Sequence, residues 1–223
     1  YERDIRRGKF LIDGVSVTRD TMVVSSSEVS AIIPGAGFNF AVNTDLNVFG
    51  GVHRGFAPPR IKDAISSEGV AYELDAELSW NYELGIRSTP FKWLSLELTG
   101  FHMDFENQVI PVSESSGGTG SGLVNGGRTL HTGVEAGIAI NSKEITDTRY
   151  YLEFKTGISY VNSVFAADRY IEVEDSEENI NGNFTPYAPE WNVNGGLSIY
   201  SPFGLSLNMN ANYVSEQFSN EIN

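Results

Sequence analysis

Residues 205–213 read Leu-Ser-Leu-Asn-Met-Asn-Ala-Asn-Tyr, and this stretch decides the fold. Leu205, Leu207, Met209, Ala211 and Tyr213 are apolar, while Ser206, Asn208, Asn210 and Asn212 between them are polar. A helix, turning about 100° per residue, would smear both sets around its whole surface. A strand sends successive side chains to opposite faces, so it gathers the apolar set on one side and the asparagines on the other.

The same period of two recurs upstream. Leu130, Thr132, Val134, Ala136, Ile138 and Ile140 alternate with His131, Gly133, Glu135, Gly137, Ala139 and Asn141. Leu152, Phe154, Thr156, Ile158 and Tyr160 alternate with Glu153, Lys155, Gly157, Ser159 and Val161. Shorter runs begin at Leu46, Tyr82 and Val193. After Leu94, Leu96 and Leu98 the phase slips at Gly100, which predicts a bulge or bend there. The pattern yields eight strands, at about 36–43, 46–56, 79–88, 94–106, 129–141, 150–164, 190–200 and 204–216. Residues 1–30 are expected to hold the end of an earlier strand and another long loop.

The connections alternate in length. Asn43–Asp45, Ser88–Lys92 and Ser201–Gly204 are short, and Ser142–Arg149 is slightly longer. Between them lie long polar segments at about Ala57–Glu77, Gln108–Gly127 and Ala166–Tyr187. Short turns at one end and long loops at the other is the layout of outer-membrane β-barrels, whose long loops are extracellular. Aromatic residues gather at the strand ends: Phe91 and Trp93, Tyr150 and Tyr151, Tyr200 and Phe203. Such rings form girdles at the two membrane–water boundaries.

Composition agrees with this reading and removes others. Of 223 residues, 40% are hydrophobic and 23 are glycine, as suits short strands and many turns. There is no cysteine, which excludes disulfides and thiolate metal sites. With 29 acids against 15 bases the net charge is −14, which argues against a nucleic-acid partner. No stretch approaches the roughly 20 apolar residues of a membrane helix, but barrel strands need only about ten, half of them polar. A soluble sandwich or lipocalin-like barrel would also alternate. Its solvent face would be rich in lysine, whereas here the polar face carries Asn, Ser, Gly and isolated charges.

If the apolar set meets lipid, then Glu83, Arg87, Glu97, Glu135, Glu153 and Lys155 line the lumen. The hairpin around Pro90 brings Arg87 near Glu97. A hairpin centred on the Ser142–Arg149 turn brings Glu135 near Lys155. These charges either pair across strands or stand solvated.

Four motifs resemble one family, the TonB-dependent receptors. Gly51–Pro59 (GVHRGFAPP) resembles its glycine-phenylalanine-alanine-proline motif, where a barrel strand runs into an external loop. Trp80–Arg87 (WNYELGIR), Asn125–Glu135 (NGGRTLHTGVE) and Tyr187–Leu197 (YAPEWNVNGGL) resemble three later strand starts, in the family's order. The resemblance covers about residues 33–218. The first and third motifs together are most similar to the ferric-dicitrate branch.

The resemblance implies an all-β fold: a transmembrane antiparallel β-barrel of about 22 strands around a plug, of which this chain supplies about eight. Residues 1–223 would all be barrel domain, with the plug, the coupling box and the barrel-closing C-terminal strand outside the chain. It implies a cell outer-membrane receptor that imports a ferric chelate, siderophore or ferric citrate, and is no enzyme. A TonB energy-coupling partner would engage the missing N-terminal part by strand addition. The partners are then outer-membrane lipid, the TonB system and the chelate, and no resident cofactor is implied. Other importers, of glycans, peptides or cobalamin, share the fold. A passive porin or adhesive barrel is a different class, and so is an outer-membrane lipase, for which no catalytic set or nucleophile elbow is visible.

An anionic, oxygen-rich chelate suits arginine. Arg54 and Arg128 lie in the motifs and Arg60 just beyond the first. The alternative role for Arg54 and Arg128 is to anchor strand ends at the headgroup or lumen boundary. Glu172–Glu178 (EVEDSEE) gathers carboxylates, yet it lacks the spacing and glycine of a calcium loop and reads as a solvated outer loop. His53, His102 and His131 are scattered singly, so no metal site is expected.

Overall fold

The computed structural model describes residues 2–12, 15–25, 31–58, 75–111, 123–125, 127–146, 148–173 and 176–222. Its strands are β1 (Glu2–Ile12), β2 (Val15–Ser25), β3 (Gly35–Asn43), β4 (Leu46–Ala57), β5 (Glu77–Phe91), β6 (Leu94–Glu106) and β7 (Val109–Pro111). They continue with β8 (Leu123–Asn125), β9 (Thr129–Asn141), β10 (Tyr151–Phe165), β11 (Tyr170–Val173), β12 (Ser176–Asn179), β13 (Trp191–Tyr200) and β14 (Ser206–Val214). Eight of them form one antiparallel sheet in the order β3-β4-β5-β6-β9-β10-β13-β14. These are the eight strands expected from the alternation, with ends displaced by a few residues. The short pairs β7–β8 and β11–β12 stand within two of the long connections.

Local chemistry sets the short turns. Asn43 Oδ1 accepts from the Asp45 amide at 2.8 Å and closes the β3–β4 connection. Gly204 takes φ +80° in the Ser-Pro-Phe-Gly turn, a conformation costly for any residue with a Cβ. Pro90 has no amide to give to the ladder, and the β5–β6 register shifts between Ser88 and Phe91 around it.

Two expectations need correction. Within the first 25 residues, β1 and β2 pair as antiparallel strands, rather than a strand end followed by a loop. The ladder also runs unbroken through Gly100, which pairs with Leu84 on one side and Val134 on the other. The strand does not slip; its surroundings change. Beyond Gly100 the side that carried Leu94, Leu96 and Leu98 carries His102 and Asp104, while Phe101, Met103 and Phe105 occupy the other side. The apolar band ends there.

Following the pairing across all eight strands shows what the sheet is. One row reads Phe40, Val48, Ile86, Leu98, Ala136, Ile158, Val193, Tyr213. The next row, on the opposite face, reads Ala41, Asn47, Arg87, Glu97, Gly137, Gly157, Asn194, Asn212. The apolar face is uncovered: Phe40 is 63% exposed, Leu84 61% and Tyr213 59%. Among the described residues the buried apolar core is only Phe165, Ile171 and Ile180, at the long-loop end. A soluble sandwich would have buried the apolar face. Leaving it in water costs about 25 cal/mol per Å², so it requires an apolar solvent. The sheet is a segment of a transmembrane barrel wall, and its free edges are β3 and β14.

Candidate functional site

All six charges expected to share the polar face do so by register. Glu83 pairs with Gly51 and Phe101, Arg87 with Asn47 and Glu97, and Glu135 with Thr99 and Ser159. Lys155 pairs with Ala139 and Gly196, and Glu153 with Asn141 and Ser198. The Arg87–Glu97 pair forms as a fork: Nε donates to Oε2 at 3.0 Å and Nη2 to Oε1 at 2.8 Å. The Phe49 ring lies 5.3 Å from the same guanidinium. Both side chains stay about half exposed, so solvent screens the pair. A double-mutant cycle on Arg87 and Glu97 should return a small favourable coupling in the folded barrel, weakened by added salt. A coupling of zero would mean the fork is not held in solution.

Glu135 and Lys155 do not meet. Glu135 faces Ser159, and Lys155 faces Ala139, four residues further along, which separates them by about 13 Å. The connection is the cause. Ser142–Glu144 curls into a 3-10 turn, capped by Asn141 Oδ1 on the Lys143 amide. Ser142 Oγ then accepts from the Leu152 amide at 2.8 Å. The return strand therefore enters register later than a symmetric turn would place it.

At the long-loop end, the polar face carries a cluster that sequence reading missed. His131 Nδ1 lies 2.6 Å from Ser163 Oγ, which lies 2.5 Å from Thr185 Oγ1. His131 Nε2 lies 3.1 Å from Thr129 Oγ1, which donates to Gln108 Oε1 at 2.6 Å. Ser163, Thr129 and Thr185 are buried. Only Thr129 and His131, two apart in one strand, were visible as a pair. Ser163 is 32 positions away and reaches them through the β9–β10 register.

The motifs have physical causes at this end. Asn125 pins two connections: its Nδ2 donates to Asn107 O at 2.9 Å, and its Oδ1 accepts from the Asp75 amide at 3.0 Å. At Gly133 a Cβ would run into Tyr160 O and the Phe101 ring, so the position admits only glycine.

The arginines divide. Arg54 pairs with Trp80 in register, and the adjacent Val52 pairs with Tyr82, so Arg54 belongs to the apolar side, just past the end of the band. Its nearest carboxylate, Glu106, is 4.0 Å away, and the Trp80 ring is at 5.6 Å. Arg128 forks onto Asp104, both contacts at 2.7 Å, and Asp104 pairs with Trp80 and Leu130 on that same side. Neither lies on the side of Glu83, Glu97 and Glu135. Arg60 lies outside the described residues. The Glu172–Glu178 segment falls on the β11–β12 hairpin, with residues 174–175 outside the described ones. Among the described residues, no group of three or more His, Asp or Glu is placed to hold a metal ion.

The wall has close counterparts in solved structures. The ferric citrate transporter FecA, in its unliganded form, is 20% identical with a TM-score of 0.60, covering 92% of this chain and 27% of that one. The siderophore receptor PirA from Pseudomonas aeruginosa is 18% identical with a TM-score of 0.58, covering 82% and 30%. The ferric yersiniabactin uptake receptor FyuA from Yersinia pestis is 18% identical with a TM-score of 0.58, covering 93% and 28%. The chain thus spans less than a third of each, and at these identities the likeness is one of fold. No curated protein matches the sequence. Receptors and transporters, not enzymes, make up these neighbours. The family model described as TonB dependent receptor-like, beta-barrel matches residues 9–223, and the chain belongs to that family of outer-membrane receptor barrels.

Proposed function

We propose that this wall is part of a receptor that imports a ferric chelate, siderophore or ferric citrate, across the outer membrane with TonB-coupled energy. The long loops face the cell exterior and the polar face lines the lumen. One observation supports the ligand class: the neighbours that share this eight-strand wall are named for ferric citrate, ferric yersiniabactin and siderophores. In this reading Glu83, Glu135, Glu153 and Lys155 face the barrel interior with the Arg87–Glu97 pair. Arg60, in the connection after the first motif, is the arginine proposed to meet the chelate first, with Arg54 and Arg128 the other two candidates.

The test is binding and uptake by the intact receptor. Ferric citrate and a panel of ferric siderophores are titrated against it, and radio-iron uptake is followed with and without the proton-motive force. Micromolar or tighter binding of one chelate, with uptake lost on de-energisation, is the expected result. Binding of a glycan, peptide or cobalamin instead would keep the family and overturn the ligand. Iron uptake indifferent to the proton-motive force would overturn the coupling. Arg60→Ala should weaken chelate binding about tenfold, the loss of one charge-assisted contact.

A further inference from the structure

We propose that the apolar face of this wall holds one phosphate-bearing lipid at its long-loop end, an acyl chain lying in a glycine-floored groove and the phosphate at Arg54. The proposal rests on the barrel-wall assignment and is independent of which nutrient is carried.

The groove measures about 780 Å³, within the roughly 300–1,000 Å³ of small-molecule sites. Gly50 and Gly100 form its floor, and Phe38, Leu84, Tyr82 and His102 rise around it. The two glycines differ. A Cβ at Gly50 would stand 2.8 Å from the Phe38 ring, which already fills that space, whereas a Cβ at Gly100 would meet nothing closer than 4.0 Å. The notch is therefore open at Gly100, on a surface that faces hydrocarbon. An open apolar notch in such a surface is filled by an alkyl chain.

Arg54 supplies the second, independent feature. It stands four residues beyond Gly50 on the same side of β4, about 13 Å from the floor and towards the long-loop end. Tyr82, at the groove's edge, stacks on Trp80, which stands beside Arg54 in the register; the ring centroids are 6.4 Å apart, and such rings settle at the headgroup level. Arg54 is under-used within the protein. Its Nε is buried, so the terminal nitrogens are what a lipid can reach, and the Glu106 carboxylate, at 4.0 Å from Nη2, lies beyond hydrogen-bond range. Arg128 is the contrast, because Asp104 takes two of its donors and is itself neutralised. What remains is a guanidinium with unfilled donor capacity above an open alkyl-sized notch. Phosphate oxygens match that fork. The half-exposed Glu106 side chain has room to turn away.

The test uses the intact barrel in nanodiscs of phosphatidylcholine containing a minor fraction of phosphatidic acid, with native mass spectrometry of the released protein. One phosphatidic acid should stay bound per barrel, and diacylglycerol offered at the same fraction should not. Arg54→Gln, which keeps length and removes charge, should lower retention about tenfold, as should Gly100→Leu, which fills the notch. Heat-modifiable gel migration checks that each variant folds; if Gly100→Leu does not, Arg54→Gln decides alone. Unchanged retention in the folded variants, or equal retention of diacylglycerol, would overturn the proposal.

Discussion

Leu98→Arg should destabilise the barrel in a bilayer by about 2–4 kcal/mol, whereas Ser95→Arg should cost about 0.5 kcal/mol or less. The two positions sit on one strand, three residues apart, on opposite faces, with Leu98 deeper in the apolar band. Leu98 pairs with Ile86 and Ala136 in the middle of the apolar band and is 46% exposed. An arginine there must carry its charge into hydrocarbon, or bend the bilayer to reach water. Ser95 pairs with Ala139 on the face of Glu97 and Lys155, where a cation adds to existing polar groups. Urea titration of folding into vesicles measures both. Equal costs would mean that the apolar face does not meet lipid, and the wall assignment would fall with it.

That contrast was legible in the sequence because a strand is the simplest reader of periodicity. Side chains alternate strictly, so Leu205–Tyr213 declares both faces without knowledge of any partner. The short turns were legible for the same local reason: Asn43 and Gly204 carry their turn chemistry with them. What was not legible depended on where the register locks. A turn centred by symmetry would join Glu135 to Lys155, but the 3-10 turn at Ser142–Glu144 shifts the return strand and separates them. The apparent slip at Gly100 came from reading polarity as a property of the strand. Polarity there tracks the depth of the strand in the membrane, so one straight strand reverses its pattern where it leaves the band. The arginines followed from motif position, which fixes a strand–loop junction but leaves the face to register. Counting residues from Val52 puts Arg54 on the apolar side of β4, a placement that its motif alone does not state.

Arg169→Met should open the packed connection between β10 and β13, with a local loss of about 3–5 kcal/mol. Glu221 has a relative exposure of 0%, and Arg169 Nη1 donates to its Oε1 at 2.8 Å. The pair joins positions 52 apart in sequence, tying the segment after β14 to the loop after β10. Around it, Asn183 Nδ2 donates to Glu221 O at 2.9 Å, and the Tyr187 amide donates to Phe218 O at 2.9 Å. The Phe184 and Phe218 rings stack at 5.7 Å, beside the small core of Phe165, Ile171 and Ile180. Removing the arginine takes a charged donor from a carboxylate held out of water, and the least costly relief is for residues 215–222 to lift off. Amide exchange should therefore rise across residues 166–185 and 215–222, and stay unchanged in β5, β6 and β9, whose ladders are untouched. Pairing Arg169→Met with Glu221→Met should recover most of the protection, because a buried ion pair replaced by apolar groups is often neutral. If the single variant exchanged like the parent, the ion pair would not be what holds this loop. If the double variant exchanged as fast as the single, the pair would be needed for its geometry and not merely to neutralise a buried charge.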